Sequence, residues 1–224
     1  MHVFVDIETI PATMTAAEAR ALVQVPGNYK KAASIQRYID ENWPEVVART
    51  SLNPHRGSVF CAVVATLEGE PAVFRLDECA GEADLLRQLG AHLGDLRHSC
   101  VEDTPTLVGW NCDGFDWPYL WRRSVMHRAS LLVEIVPHGL RGRDGWRSLD
   151  LMAYWAGSNG YGSGRYVALL EVCNFLGIDC PPNGSSVAEH YRAGDLDWIV
   201  EHCKADVRAL QQVWDRVQFA GIPF

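Results

Sequence analysis

Met1-His2-Val3-Phe4-Val5-Asp6-Ile7-Glu8-Thr9-Ile10, bounded by Pro11, is the stretch whose reading decides the fold. Apolar residues rich in β-branching, ending at a proline, predict a buried strand. Side chains of a strand alternate between its two faces, so Asp6 and Glu8 point the same way. Two like charges side by side at the end of a buried strand are costly unless something neutralises them. A divalent cation held by hard carboxylate oxygens is the obvious agent. Taken alone, the same pair also reads as a strand end with two solvated acids.

Outward from this strand, Thr13 to Arg20 predicts a short helix with Thr15 as N-cap and Glu18 at the capping-box position. Residues 27–56 mix Lys30, Lys31, Arg37, Arg49 and Arg56 with Tyr29, Tyr38 and Trp43. They read as a helical and loop insertion, about 11–56 in all, serving as a cap over a site or as a surface elaboration. Ser58 to Leu67 is a continuous apolar strand, Gly69-Glu70 a turn, and Ala72 to Leu76 its hairpin partner. Leu85, Leu86, Leu89, Leu93 and Leu96 give Glu82 to Arg97 helical spacing.

Thr106 to Trp110 reads as a strand and Phe115 to His127 as a helix, with Pro118 in its first turn. Ser148 to Met152 reads as a short strand or a strand-to-helix joint. Gly157 to Gly164 is a glycine-rich loop without a nucleotide-binding fingerprint. Arg165 to Leu176 predicts a helix stopped by Gly177, and Ser185 to Tyr191 a short one. From about Asp195 to Phe219, Leu196, Ile199, Val200, Cys203, Val207, Leu210, Val213, Trp214 and Val217 form an unbroken helical stripe. Three strands, helix, strand, helix, strand and helices predict a mixed α/β sheet in one domain spanning 1–224.

Composition bounds the function. The 224 residues are 48% hydrophobic, enough for a full core. No apolar run reaches the length of a membrane span, and the N-terminus lacks a signal-peptide pattern. The seven cysteines show neither C-x-x-C pairs nor zinc spacing, which predicts reduced thiols in a cytoplasmic protein. A net charge of −8 argues against a broad basic surface for duplex nucleic acid. It leaves room for an enzyme that grips a polyanion locally through metal ions.

Three stretches combine: Asp6-Ile7-Glu8-Thr9; Val108 to Leu120 (VGWNCDGFDWPYL); and His202-Cys203-Lys204-Ala205-Asp206-Val207. Together they resemble the DEDD superfamily of 3′–5′ exonucleases, whose fold is RNase H-like. Within it, the likeness is to the predicted exonucleases related to the proofreading domain of family B DNA polymerases. Asp6 and Glu8 match the first motif, Asn111 with Phe115-Asp116 the second, and Asp206 the third. Likeness extends to Ser148-Leu149-Asp150-Leu151-Met152, Gly184-Ser185-Ser186-Val187 and Tyr191-Arg192-Ala193-Gly194.

The resemblance implies hydrolysis of single-stranded 3′ ends to nucleoside 5′-monophosphates, with DNA favoured over RNA. An exoribonuclease on the same site and a catalytically weak nucleic-acid-binding module are the alternatives. No protein partner and no membrane association are implied. Residue chemistry agrees: Asp6, Glu8, Asp116 and Asp206 are enough hard oxygen ligands for two Mg²⁺ or Mn²⁺ ions. Two such ions activate water and stabilise the leaving oxygen.

The third motif departs from the family pattern. The tyrosine-type subgroup has Tyr-x-x-x-Asp and the histidine-type His-x-x-x-x-Asp; here His202-x-x-x-Asp206 puts a histidine at the tyrosine spacing. Positions i and i+4 share a helix face. His202 is therefore expected among the catalytic residues as the base that activates water. Otherwise it bonds a metal-bound water or a ligand carboxylate, and the metals alone generate hydroxide.

Weaker expectations concern the substrate. Asn111 binds a phosphate or sugar, or serves as a turn residue before a helix. Thr9 and Ile10 touch the 3′-terminal nucleotide, Ile10 as an apolar wedge or else as core. Phe115 and Trp117 stack on bases, or Phe115 anchors the core under Asp116. Asp150 is a fifth acid, expected to orient a neighbour or cap a helix. Arg122, Arg123, Arg128, Arg141, Arg143 and Arg147 form the densest basic region, a guide for a single strand or a solvated surface.

Overall fold

A β-branched N-terminal strand needs partners on both edges and cover on both faces, and this one has all four. The computed structural model describes residues 1–100, 105–129, 147–157, 166–180 and 186–219. β1 (His2–Ile10) is the central strand of a five-stranded sheet of order β3-β2-β1-β4-β5. β2 (Ser58–Thr66) pairs antiparallel with β1, placing Val5 opposite Val64 and Glu8 opposite Cys61. The register slips between Glu8 and Thr9. β3 (Ala72–Arg75) completes an antiparallel hairpin with β2. β4 (Thr106–Gly109) and β5 (Arg147–Asp150) extend the other side in parallel, with Phe4 opposite Val108 and Gly109 opposite Asp150. Three antiparallel strands followed by parallel ones make the mixed sheet that the hairpin and the order of elements predict.

Each face of the sheet buries its own core. Phe4 and Ile10 lie with Phe60, Val200, Cys203, Val207 and Trp214 under the long C-terminal helix, here α8 (Leu196–Phe219). Val3, Val5 and Ile7 lie with Leu85, Leu86, Leu89 and Leu93 of α3 (Glu82–Ser99) and Leu120 of α4 (Asp116–His127). Asp6 and Glu8 share the parity of Phe4 and Ile10, so they face α8. Two-residue periodicity in β1 thus determines which helix completes the site.

Smaller elements follow local chemistry. α1 (Ala16–Ala21) opens on a complete capping box, Thr15 and Glu18 each satisfying the other's backbone N–H. α2 (Ala32–Arg49) buries none of its residues and carries Pro44 inside it. It packs on α1, where Arg20 lies over the Trp43 ring at 5.4 Å and pairs with Asp40 at 2.9 Å. Residues 11–56 carry a helical pair standing beside the end of β1. Its neck is tied where the Ala12 N–H donates to Thr50 Oγ1 at 2.8 Å.

α5 (Leu151–Trp155) starts directly from β5, so residues 148–152 are the strand-to-helix joint. α6 (Leu169–Leu176) begins later than its periodicity suggests and ends at Gly177, whose φ is +68°. Its delayed start follows from Val167, whose carbonyl accepts the Trp110 indole N–H at 2.9 Å and belongs to a loop. α7 is Val187–Ala193. Ser158 to Gly164 of the glycine-rich loop, Arg141 and Arg143, and Gly184 and Ser185 lie outside the described residues. Among those described, no helix is long and apolar enough to cross a membrane.

Candidate active site

Parallel strands deliver loops to one edge of a sheet, and β1, β4 and β5 with the loops that follow them deliver Asp6, Glu8, Asp116 and Asp150 to the same edge. β4 ends at Gly109 because the chain turns back on itself there: a Cβ at that position would lie 2.4 Å from Cys112 Cβ. Asn111 takes φ +57°, a left-handed conformation that asparagine tolerates better than most residues. Gly114 clears room for it, since a Cβ there would meet Asn111 Oδ1 at 2.6 Å.

Asp150 ties this turn to β5. It accepts from the N–H groups of Asn111 (2.9 Å) and Asp113 (3.2 Å), and from Met152 (3.0 Å) and Ala153 (3.3 Å) in the first turn of α5. It is the orienting and capping acid that its position predicts. The ordered turn ends in Asp116, the first residue of α4, only 4% exposed.

α8 closes the site from above. The Cys203 thiol donates to Asp6 Oδ2 at 3.1 Å. His202 Nε2 lies 3.6 Å from Glu8 Oε1 and 3.5 Å from Asp206 Oδ2. The donor atoms of Glu8, His202 and Asp206 all lie within 4.8 Å of one another, as a shared cation would require. Asp6 and Glu8 both sense the charges of Asp206 and Asp116.

Electrostatically the site is unbalanced. Burial raises Asp6 well above the usual carboxylate range, and the Asp206 and Asp116 charges add to it, against a small pull from the Cys203 thiol. Glu8 rises likewise, first from burial and then from Asp6. Burial brings Asp116 up to about 7, although backbone hydrogen bonds from its own peptide and from Ile7 hold it down in part. Burial alone takes Asp206 to about 7. Among the described residues, no lysine or arginine forms an ion pair with any of the four. Lys204 and Arg208, two residues to either side of Asp206 on α8, pair with Glu201 instead, at 2.6 Å and 3.7 Å. Four converging carboxylates with raised proton affinity and no protein counter-charge fit divalent cations.

A family model describing predicted 3′–5′ exonucleases related to the exonuclease domain of PolB matches residues 52–221, well over half of the chain. The chain belongs to that family. The matched range of this 3′–5′ exonuclease family holds Asn111, Asp116, His202 and Asp206. Asp6, Glu8 and the α1–α2 pair precede it, and tertiary structure joins them to the rest. An uncharacterized protein of Methanocaldococcus jannaschii is 34% identical over 127 residues, 51% of this chain and 63% of that protein. The match thus spans less than two thirds of that relative.

Among solved structures, the family B DNA polymerase of Pyrobaculum calidifontis aligns at TM-score 0.58 and 19% identity. That alignment covers 97% of this chain and 24% of the polymerase. It shows the fold, an RNase H-like exonuclease fold. E. coli exonuclease I in complex with a dT13 oligonucleotide aligns at TM-score 0.45 and 13% identity, over 97% of this chain and 40% of that one.

The remaining expected residues separate into placed and displaced. Thr9 is buried in β1 itself, and Phe115 is half-buried with its ring 5.4 Å from Tyr119. Ile10, read as an apolar wedge, is instead core: it is 3% exposed and packs with Phe4 and Phe60. Trp117 does not present a face to bases, being 2% exposed with its indole N–H donating to Ser148 Oγ at 2.9 Å. Arg123 leaves the basic region altogether: it is 3% exposed and bound by Glu82.

Two features escaped the sequence. One is the thiol of Cys203 on Asp6. The other is an aromatic stack in which Trp198 lies against His202 (4.9 Å, 12°) on one side and His190 (3.7 Å, 3°) on the other. Trp198 stands four residues before His202, a spacing that already puts the two on one helix face.

Proposed function

We propose that this protein is a divalent-metal-dependent 3′–5′ exonuclease that hydrolyses single-stranded DNA from its 3′ end and releases nucleoside 5′-monophosphates. One observation carries the reading: Asp6, Glu8, Asp116 and Asp206, from three elements, converge at one sheet edge, and among the described residues no lysine or arginine pairs with any of them. Those four would hold two Mg²⁺ or Mn²⁺ ions. The ions supply a nucleophilic hydroxide and charge relief at the phosphate.

The protein's own residues set the geometry. β1 presents Asp6 and Glu8 on one face, the Asp150-tied turn presents Asp116, and α8 brings Asp206. The attacking water is activated where Glu8, Asp206 and His202 meet. Asn111, beside that turn, contacts phosphate or sugar, while Thr9 and the half-buried Phe115 ring flank the terminal nucleotide. The chain is one exonuclease domain over 1–224, with the α1–α2 pair inserted at 11–56 beside the strand's entry. Its seven cysteines are all free, in keeping with a cytoplasmic setting.

The test is a 5′-labelled single-stranded DNA oligonucleotide and its RNA twin with Mg²⁺ or Mn²⁺, comparing native protein with Asp6→Ala. A ladder shortening from the 3′ end and lost in Asp6→Ala is the expected result, with the DNA twin faster. A faster RNA twin makes it an exoribonuclease. No cleavage of either strand overturns the reading in favour of a nucleic-acid-binding module.

A further inference from the structure

We infer that His202 Nε2 is itself a metal ligand, joining Glu8 and Asp206 in one nitrogen-containing site that takes Mn²⁺ or a later first-row cation in preference to Mg²⁺. The inference rests on the metal-dependent reading above and assigns the imidazole to the cation, where the family pattern makes it a base toward water.

His202 is 4% exposed, and neither ring nitrogen has a hydrogen-bond partner among the described residues. Buried polar atoms in native proteins are almost always paired, so an unpaired imidazole aimed at carboxylates calls for a further partner. Nε2 points between two oxygens, at 3.6 Å from Glu8 Oε1 and 3.5 Å from Asp206 Oδ2. Both separations exceed a hydrogen bond, for which about 2.7–3.2 Å is usual.

The spacing does suit two atoms bound to one ion. Ligand atoms bound at about 2.1 Å to one ion stand about 3.0 Å apart in octahedral geometry and about 3.4 Å apart in tetrahedral geometry. Glu8 Oε1 and Asp206 Oδ2, at 3.6 Å and 3.5 Å from Nε2, stand within about 0.6 Å of both. Placement on the helix agrees. His202 and Asp206 are i and i+4 on α8, the arrangement by which one helix face supplies two ligands to a single ion. The histidine at the tyrosine spacing is thereby explained: three residues, not four, separate it from the carboxylate with which it shares the cation.

The ring is also held ready. Trp198 covers one face of His202, and His190 covers the far face of Trp198, with His190 Nδ1 tied to Asp195 Oδ2 at 3.0 Å. Stacking fixes the plane of the imidazole and leaves its Nε2 edge toward Glu8 and Asp206. Three donor atoms facing one another are mutually repulsive unless a cation sits among them. An imidazole nitrogen in the set favours Mn²⁺ and the later first-row metals over Mg²⁺, which prefers oxygen ligands and water.

The experiment loads the full-length protein with Mn²⁺ and records pulsed electron paramagnetic resonance for modulation from a directly bound ¹⁴N. Nitrogen coupling is expected in the native protein and is expected to vanish in His202→Gln. By equilibrium dialysis, His202→Gln should weaken Mn²⁺ binding by about tenfold or more, and Mg²⁺ binding by less than about threefold. Mn²⁺-loaded native protein without nitrogen coupling overturns the inference, whatever the variant does, and returns His202 to the role of base. A coupling that survives His202→Gln overturns it too, by placing the nitrogen elsewhere. Hydrolysis is scored separately. Coupling without 3′ shortening leaves the ligand assignment standing and removes the exonuclease; shortening without coupling does the reverse.

Discussion

Two places in this protein bury carboxylates, and they are built in opposite ways. Glu82, at the start of α3, is 7% exposed and fully partnered. It accepts from the Val59 N–H (2.8 Å), from Arg123 Nε (2.8 Å) and Nη2, and meets His127 Nε2 at 2.8 Å. Burial by itself would raise its pKa, but the bonds from Arg123 and Val59 outweigh burial and pull it below the ordinary value. At the other site Asp116 is buried and Asp6, Glu8 and Asp206 are half-buried, none of the four pairs with a lysine or arginine among the described residues, and all four are pushed up. Buried acid with an internal counter-charge is a brace: Glu82 and Arg123 join α3, α4 and β2. Buried acid without one is built to receive a charge from outside.

The largest effect separates the two sites by activity. Asp6→Asn should lower the rate of 3′ shortening by roughly 10³-fold, while the folded protein is as stable as before or more so. Loss of stability in parallel with activity would place Asp6 among the braces. The mirror experiment is Arg123→Met, which strands the Glu82 charge and should cost about 3–5 kcal/mol in urea unfolding. A cost below about 1 kcal/mol would mean that the pair is no stronger than a surface one.

The pH response should also divide them. Asp116 and Asp206 have folded values of about 7 against an ordinary 3.8, so the folded state keeps protons that the unfolded chain has lost. Their contribution is complete at low pH and is lost as pH rises through about 7. Metal-free protein should therefore lose Tm between about pH 5 and about pH 8, and a saturating divalent cation should remove that loss. Chelation at high pH should restore it. Glu82 works in the other direction: its contribution is present above the ordinary carboxylate range and disappears as pH falls through its lowered value. The smallest effect is His127→Gln, which removes one of several partners of Glu82 and should cost about 1 kcal/mol with no change in cleavage rate.

The site acids were legible because each sits on an element with a clear period. Alternation in β1 puts Asp6 and Glu8 on one face, and the stripe of α8 puts Cys203 and Val207 inward with His202 and Asp206 beside them. The turn before Asp116 was legible from Asn111, whereas the parts of Gly109 and Gly114 in it came only from the structure. Arg123 was misread as surface because composition near residue 123 is basic, whereas its partner Glu82 is 41 positions away. Trp117 was misread for a similar reason: its bond to Ser148 spans 31 positions, and no local pattern reports it.

What the sequence by itself determined is therefore the identity of the elements and the parity of their side chains, which are short-range properties of a strand or a helix. It also determined the chemistry on offer, four carboxylates and a histidine displaced by one residue from the histidine-type pattern. Only the tertiary structure decided which charges meet. It set the Cys203 thiol on Asp6 across 197 positions, Nε2 of His202 between Glu8 and Asp206, and Arg123 on Glu82. The physical reason is that neutralising a buried charge depends on distance in space and on exclusion of water, and neither is a property of neighbouring residues in the chain.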